Sequence, residues 1–172
     1  MSPNYFQSYG IIRLNGLSLR SSKGGTGMAH KLAAGVVVMK DNAVLLVKDK
    51  SGWSLPKGTV ESGETFSDAA EREGGEETGF QIDLEEVAFV TEYTSEKYGQ
   101  YLQVYYSGKS SAEQNAINDP DQDVIEIQFV DVKHLRQYIQ FRPWIIPLET
   151  WLQSRTMKYH TFDLDVEGFH IS

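Results

Sequence analysis

One segment constrains this chain more than any other feature, because it concentrates negative charge inside the chain. Residues 58–80, GTVESGETFSDAAEREGGEETGF, hold seven acidic residues and a single base, Arg72. The segment therefore carries −6 of the formal net charge of −8, and the other 149 residues, with 17 acids and 15 bases, are nearly balanced. A dense block of one sign is usually a solvated helix face or a tail. This block is internal and has glycines at definite positions, which indicates a built site.

Local signals predict a helix over residues 65–78, with Gly79 as its C-terminal stop. Residues three and four apart share a helix face, so Glu73, Glu76 and Glu77 converge. Like charges at this spacing destabilise a helix by about 0.2–0.5 kcal/mol per pair, and no lysine is interleaved to offset them. The sequence therefore predicts a helix that needs a source of positive charge.

Divalent cations would supply that charge. Carboxylate oxygens suit Mg²⁺, with Mn²⁺ as a substitute, and Arg72 is available to hold a neighbouring carboxylate in place. Carboxylate-held Mg²⁺ indicates phosphorus chemistry, because the cation screens phosphate charge and lowers the pKa of a bound water. A glutamate not engaged with metal could then accept the proton of that water.

The spacing of these residues resembles the Nudix box, G-x5-E-x7-R-E-U-x-E-E-x-G-U, where U is aliphatic. The seven matching identities, followed by apolar Phe80, are Gly58, Glu64, Arg72, Glu73, Glu76, Glu77 and Gly79. With the order of the flanking strands, the resemblance spans roughly residues 30–155. It implies an α+β fold, an α/β/α sandwich with a mixed sheet between helices, in which the box forms a loop–helix–loop. It also implies Mg²⁺-dependent hydrolysis of a nucleoside diphosphate linked to another group.

Residue matching with the family also implies roles within the box. The implied metal ligands are the Gly58 carbonyl, Glu73, Glu76 and Glu77, with Glu64 as an accessory ligand or a brace for Arg72. Catalysis is assigned to Glu73, Glu76 and Arg72. The general base varies in the family and sometimes lies outside the box. Glu126 is the outside candidate here, and an exposed strand residue is the equal alternative.

One box position departs from the family pattern. The first U is Gly74, and Gly75 follows it. Two glycines inside a helix cost about 1 kcal/mol each relative to Ala. The space beside Gly74 is either an unfilled core position or one that a bulky side chain from elsewhere occupies.

The substrate depends mostly on residues outside the box. The WSLPKG stretch before it resembles dinucleoside polyphosphate hydrolases, diphosphoinositol phosphohydrolases and some MutT-type triphosphatases. Lys57 is a candidate phosphate contact or a structural partner of a box carboxylate. Tyr98 lies 18 residues past Phe80, where dinucleoside polyphosphate hydrolases often carry a tyrosine. Trp53 is a candidate for stacking on a base or for packing at the core.

These features favour hydrolysis of a dinucleoside polyphosphate or a nucleoside triphosphate. The alternative is a Nudix-fold module that binds a nucleotide or metabolite without turnover, and the presence of all four box glutamates argues against it. The expected partner is a small phosphorylated molecule. The acidic balance argues against nucleic-acid binding, and homodimerisation stays open.

Composition limits the remaining classes of protein. With 40% hydrophobic residues the chain can bury a core, and without cysteine it has no disulfides or thiolate sites. No apolar run reaches the roughly 20 residues that span a bilayer. The opening MSPNYFQSYG lacks the charge and apolar pattern of a secretory signal, so we expect a cytoplasmic location.

The rest of the chain predicts strands on either side of the helix over residues 65–78 in the sequence, which implies a mixed sheet packed between helices. Strands are predicted over residues 32–39, 44–47, 86–94, 100–106 and 124–132, the first two as a hairpin around Asp41-Asn42. A loop is predicted over 108–123, and helices over 133–140 and from Pro143 or Pro147 to residue 152. The second helix is interpreted as core, with a dimer interface as the alternative. Residues 1–29 (a strand over 5–14 and a loop over 21–27) and 156–172 (a strand over 159–166) are predicted extensions of a 30–155 domain.

Overall fold

The computed structural model describes residues 30–97 and 99–167, in which the chain forms strands β1–β8 and helices α1–α4. The strands are β1 (His30–Lys40), β2 (Ala43–Asp49), β3 (Gly52–Ser54), β4 (Lys57–Thr59), β5 (Phe80–Ser95), β6 (Gly99–Gln114), β7 (Glu126–Asp131) and β8 (Lys158–Asp163). The helices are α1 (Phe66–Thr78), α2 (Leu135–Tyr138, after a 3-10 turn at Val132–His134), α3 (Arg142–Ser154) and α4 (Leu164–Glu167).

A mixed sheet runs through this part of the chain in the order β3-β2-β1-β6-β5-β8, with β4 also paired to β1 and β7 to β2. The pairs β1–β6 and β5–β8 are parallel, and the remaining pairs are antiparallel. Residues 33–35 of β1 pair with β6 on one side and with β4 on the other. This double pairing holds β4, which carries Gly58, against the centre of the sheet.

Strand β1 supplies side chains to both faces of the sheet, which explains why its apolar run is continuous rather than alternating. Val36 packs on one face in the same buried cluster as Ala69 of α1. Val37 points to the other face, in a cluster with Ile139 and with Leu148 of α3. Helices therefore cover both faces, and the predicted α/β/α sandwich with a mixed sheet is confirmed. The interpretation of α3 as a core helix is confirmed by the same contacts.

Helix α1 begins and ends where its local signals predict. Thr65 is the N-cap, and a capping box forms because the Thr65 hydroxyl accepts the Asp68 N–H while the Asp68 carboxylate accepts the Thr65 N–H. Gly79 ends the helix with φ of 72°, a left-handed conformation that favours glycine. A Cβ on Gly79 would also lie 2.4 Å from the Asn115 carbonyl oxygen. Two separate constraints thus place glycine at this position.

Three predicted boundaries were wrong by more than two residues. The strand predicted to start at residue 86 begins at Phe80, directly after α1. The loop predicted over residues 108–123 begins only after Gln114, because β6 continues to that residue. The polar second half of β6 pairs with the start of β5, for example Lys109 with Asp83 and Gln114 with Phe80. Hydrogen bonding to a partner strand outweighs the weak strand preference of this Ser-rich and Gly-containing stretch.

The predicted tail strand over residues 159–166 is also shorter in the structure. Strand β8 runs from Lys158 to Asp163 and pairs with β5, and α4 follows at once. The Asp163 carboxylate accepts the N–H groups of Asp165 and Val166, which starts the helical turn.

Some predictions fall on parts of the chain that are not described. The strand over 5–14, the loop over 21–27 and Tyr98 lie outside the described residues. The division of the chain at residues 29 and 155 stays a prediction. In the described ranges, no helix combines the length and apolar character needed to cross a bilayer.

Candidate functional site

Gly58 and Glu73 approach each other more closely than any side chain at position 58 would allow. Pairing of β4 with β1 places Gly58 opposite Ala34, beside the helix α1. A Cβ on Gly58 would lie 2.0 Å from the carboxyl carbon of Glu73. Glycine is therefore required if the Glu73 carboxylate is to lie against the β4 backbone.

Arg72 gathers three of the four box glutamates around one guanidinium. Its Nε and Nη2 donate to the two carboxylate oxygens of Glu64, at 2.6 and 3.0 Å. Its Nη1 donates to Glu73 Oε1 at 2.8 Å and to Glu76 Oε2 at 3.0 Å. Its Nη2 also donates to the Thr59 carbonyl oxygen at 3.1 Å, which ties the helix to the end of β4. A planar guanidinium suits this arrangement because its donors are fixed in a fork.

The pKa values of Glu64 and Glu73 are shifted in opposite directions, for different reasons. The hydrogen bonds from Arg72 lower the pKa of Glu64 to about 2. Burial raises the pKa of Glu73, against the opposing influence of Arg72. Glu64 is thus held as an anion by Arg72, which is the geometry of a brace, whereas a negative charge on Glu73 is costly where it stands.

Glu77 is the most deeply placed of the box carboxylates. Its Oε2 accepts the backbone N–H of Lys57 at 2.8 Å. Burial raises its pKa to about 8, although the Lys57 charge and the hydrogen bond from the Lys57 N–H oppose the shift. A nearby cation would stabilise the charged form of a carboxylate that is removed from water in this way.

The chemistry of these donors fits a hard divalent cation. Oxygen donors with poorly solvated charge lie along one helix face, and the backbone of Gly58 lies beside Glu73. Within residues 30–97 and 99–167, however, no three Asp, Glu or His side chains converge in metal-site geometry. Arg72 holds Glu73 and Glu76, while Glu77 turns to the Lys57 amide. Binding of a cation would therefore compete with these hydrogen bonds.

A loop that the sequence interpretation left out of the site adds further negative charge. Burial is the main cause of the raised pKa values of Glu73 and Glu77, and the negative charges of Asp121 and Asp123, respectively, add to these shifts. The Asp119 carboxylate accepts the N–H groups of Asp121 and Asp123, which fixes the loop. Asn118 from the same loop and the outer face of α1 line a cavity of about 530 Å³. The available sequence signal was the run NDPDQD, a turn cluster that carries three acids and no base.

The residues predicted outside the box are placed differently from one another. Glu126 lies exposed at the start of β7, with a carboxylate oxygen 3.9 Å from Lys48 Nζ, as expected of an exposed strand residue. Trp53 meets the Tyr138 ring edge-on with centroids 5.2 Å apart, which fits the packing interpretation. The Lys57 ammonium lies 4.7 Å from the centre of the Trp144 ring. The structure thus brings Lys57 to the box and places Trp144 beside it.

The space beside Gly74 is occupied. A Cβ on this residue would lie 3.1 Å from Ile82 Cγ1 and 3.2 Å from Val36 Cγ2. Side chains from β1 and β5 thus fill the position that an aliphatic residue takes in the family pattern.

Comparison with known proteins identifies the family. The NUDIX domain family matches residues 29–152, and the chain therefore belongs to this family. The chain is 30% identical over 101 residues to the protein named "Putative nudix hydrolase 1" of Caenorhabditis elegans, an alignment that covers 56% of this chain. It spans about a quarter of the length of that relative (26%).

Solved structures show the same fold. A UDP-X diphosphatase aligns with a TM-score of 0.62 at 20% identity, covering 79% of this chain and 69% of the other. An Ap4A hydrolase from C. elegans, crystallised as a binary complex, aligns with a TM-score of 0.56 at 19% identity, covering 72% and 98%. At these identities the likeness extends to the fold alone.

Proposed function

We propose that this protein hydrolyses a phosphoanhydride bond in a compound that contains a linked nucleoside diphosphate. Water attacks phosphorus, and Mg²⁺ is the cofactor, with Mn²⁺ able to replace it. The observation that carries the proposal is the grouping of the box glutamates around Gly58 and Arg72, with Glu73 and Glu77 in positions where burial makes their charge costly.

The residues divide the work as follows. Glu73, Glu76, Glu77 and the Gly58 carbonyl would hold the cation, with Glu64 either an accessory ligand or the brace of Arg72. When bound, Mg²⁺ supplies charge neutralisation for the phosphates and polarisation at phosphorus.

Arg72 orients Glu73 and Glu76, and through Thr59 it keeps the helix in place against β4. The proton of the attacking water would pass to whichever of Glu73 and Glu76 is less engaged with the cation.

Among substrates we favour dinucleoside polyphosphates and nucleoside triphosphates. The WSLPKG stretch and the fold likeness to an Ap4A hydrolase support this choice. Lys57 lies beside Glu77, a position from which its ammonium can reach a phosphate. The fold likeness to a UDP-X diphosphatase makes nucleoside diphosphate sugars a necessary part of any test.

The test is a substrate panel assayed with and without Mg²⁺. It includes diadenosine tetraphosphate, nucleoside triphosphates, UDP-glucose, ADP-ribose and a diphosphoinositol phosphate. We expect Mg²⁺-dependent turnover of one class, and incorporation of ¹⁸O from labelled water into a phosphate product. Tight binding of a nucleotide with no turnover of any compound would instead support the non-catalytic binding module.

Substitutions on α1 test the metal assignment. We expect Glu76→Gln and Glu77→Gln each to lower kcat by about 100-fold or more, because each removes an anionic oxygen from the cation site. Glu71→Gln is the matched control, since Glu71 is exposed on the same helix and is not a box residue. Equal rates in all three variants would contradict the assignment.

A further inference from the structure

We propose that Trp144 is the surface on which the aromatic base of the substrate stacks, an inference that rests on the proposed action on a nucleotide. The sequence pattern predicts that the helix containing this tryptophan belongs to the core. The structure places its indole at the edge of the candidate site, half-buried in the first turn of α3.

The orientation of the indole is held by its neighbours. The Trp144 Nε1 donates to Gln103 Oε1 at 2.8 Å. The Phe141 ring meets the indole nearly perpendicular, at 82° with centroids 4.8 Å apart. A hydrogen bond at one edge and a ring against the indole limit rotation of the side chain, and a ring held in this way loses little freedom when a ligand binds.

Gln103 is itself part of a buried polar network. Only 4% of its surface is exposed. Its Oε1 accepts the Tyr105 hydroxyl at 3.1 Å as well as the indole N–H, and its Nε2 donates to the Tyr93 hydroxyl at 3.1 Å. An apolar side chain would fill the same space without the cost of burying an amide. The network is therefore better explained as a device that sets the direction of the Trp144 ring.

A single residue, Lys57, connects the indole of Trp144 to the box carboxylates. The Lys57 ammonium is 4.7 Å from the centre of the Trp144 ring, and the Lys57 backbone N–H binds Glu77. An ammonium near a ring centre occupies the face that a flat aromatic group would use. When a base stacks there, the Lys57 side chain can turn to the adjoining phosphates. Lys57 thus links the surface proposed for base stacking to the site proposed for the phosphates.

Trp53, the tryptophan that sequence analysis considered for stacking, is less suited to this role. Its ring meets Tyr138 edge-on, and the Lys48 ammonium lies 5.6 Å from its centre. Neither neighbour belongs to the box. Trp53 therefore provides a natural control for Trp144.

The test compares ligands with and without a base. Binding of adenosine 5′-(β,γ-imido)triphosphate and of inorganic tripolyphosphate is measured by calorimetry with Mg²⁺ on the full chain. We expect Trp144→Leu to weaken nucleotide binding about 10-fold, equal to about 1.4 kcal/mol, and to leave tripolyphosphate binding unchanged. Trp144→Phe, which keeps an aromatic face, should stay within about 3-fold of the parent protein.

A second measurement uses the intrinsic fluorescence of the protein. Nucleotide binding should quench tryptophan emission in Trp53→Phe but not in Trp144→Phe. Equal nucleotide affinity in Trp144→Leu and Trp144→Phe would overturn the inference, and so would equal loss of tripolyphosphate binding. If Trp144→Leu fails to fold, the fluorescence comparison of Trp53→Phe with Trp144→Phe still tests the inference.

These outcomes separate the inference from the proposed function. Hydrolysis of a nucleotide with binding that does not depend on Trp144 would overturn the inference alone. Nucleotide binding that depends on Trp144, without turnover of any compound, would support the inference and contradict the hydrolase proposal. Binding of tripolyphosphate alone, with no preference for the nucleotide, would overturn the stacking role.

Discussion

At the scale of single residues, the candidate site is built from a few close approaches. Gly58 leaves room for the Glu73 carboxylate, and Arg72 is hydrogen-bonded to three glutamates at once. The type of residue at positions 58 and 72 matters for a geometric reason. A side chain on Gly58 would collide with Glu73, and a lysine at position 72 would lack the fork of donors that Arg72 uses.

Glu77 should make the stability of the protein depend on pH in the absence of divalent cations. Its pKa is about 8 in the folded chain, raised from an ordinary value of 4.5. The folded state keeps a proton that the unfolded chain has released, so this stabilising contribution is full below pH 4.5 and is lost as pH rises through 8. From pH 6.5 to 8 the free energy of unfolding should fall by about 1–2 kcal/mol.

Urea unfolding in EDTA at several pH values measures this dependence, with Glu77→Gln as the comparison. The variant should show a flatter dependence, because it cannot ionise. Burial lowers the pKa of His160, which acts in the opposite sense but below its ordinary value of 6.5, outside the chosen range. Burial also raises the pKa of Glu73, which acts in the same sense as Glu77. Because Glu73 is present in both the parent and Glu77→Gln, the difference between the two curves reports Glu77. Parallel curves for parent and variant would refute the assignment.

At the scale of elements, helix α1 carries two adjacent glycines in different surroundings. A Cβ on Gly74 would lie 3.1 Å from Ile82, whereas a Cβ on Gly75 would lie 3.6 Å from the Phe80 carbonyl oxygen, an ordinary contact. Helix propensity favours alanine at both positions by about 1 kcal/mol. Any difference in stability between an alanine at position 74 and one at position 75 should therefore come from packing.

We expect Gly75→Ala to raise the free energy of unfolding by up to about 1 kcal/mol. Gly74→Ala should gain less or lose stability, and Gly74→Leu should lower the melting temperature because Ile82 and Val36 already fill the space. Urea denaturation measures the free energy of unfolding of the two alanine variants, and thermal denaturation measures the melting temperature of Gly74→Leu. A stabilising Gly74→Leu would mean that the space is open, contrary to the structure.

Elements also differ in how far the sequence predicts them. The C-terminal end of α1 was predicted correctly and its start to within one residue, because the signals that set these ends are local. The second half of β6 was missed because residues 108–114 owe their strand conformation to the start of β5, some 30 positions earlier. Propensity within a short window does not contain that information.

At the scale of the whole molecule, segments distant in sequence share one region of negative charge. The box accounts for most of the net charge of −8, and Asp121 and Asp123 from the β6–β7 loop lie close enough to raise the pKa values of Glu73 and Glu77. The fold thus adds the negative charge of the β6–β7 loop to the negative charge of helix α1. A requirement for divalent cations explains this concentration better than solubility does.

The segment after residue 155, predicted as an extension, also joins the sheet. Strand β8 pairs with β5, and Leu164 behind it is 1% exposed, whereas Val166 is 82% exposed. We expect Leu164→Ala to lower the free energy of unfolding by about 2–5 kcal/mol. Val166→Ala should change it by less than about 0.5 kcal/mol. Equal, small effects would mean that this segment contributes little to the folded core.

Residue spacing along the chain was enough to predict helix α1 and the placement of Glu73, Glu76 and Glu77 on one of its faces. It also gave the two alternatives for Lys57, a phosphate contact or a partner of a box carboxylate. Each of these follows from spacing along a few turns of chain, where geometry is set by the backbone alone. Long-range packing, in contrast, is what fills the space beside Gly74, lets the charges of Asp121 and Asp123 act on Glu73 and Glu77, and places Trp144 beside Lys57. These contacts join residues that are far apart in the chain. They exist because β4 pairs with the middle of β1 while α1 and α3 cover opposite faces of the same sheet.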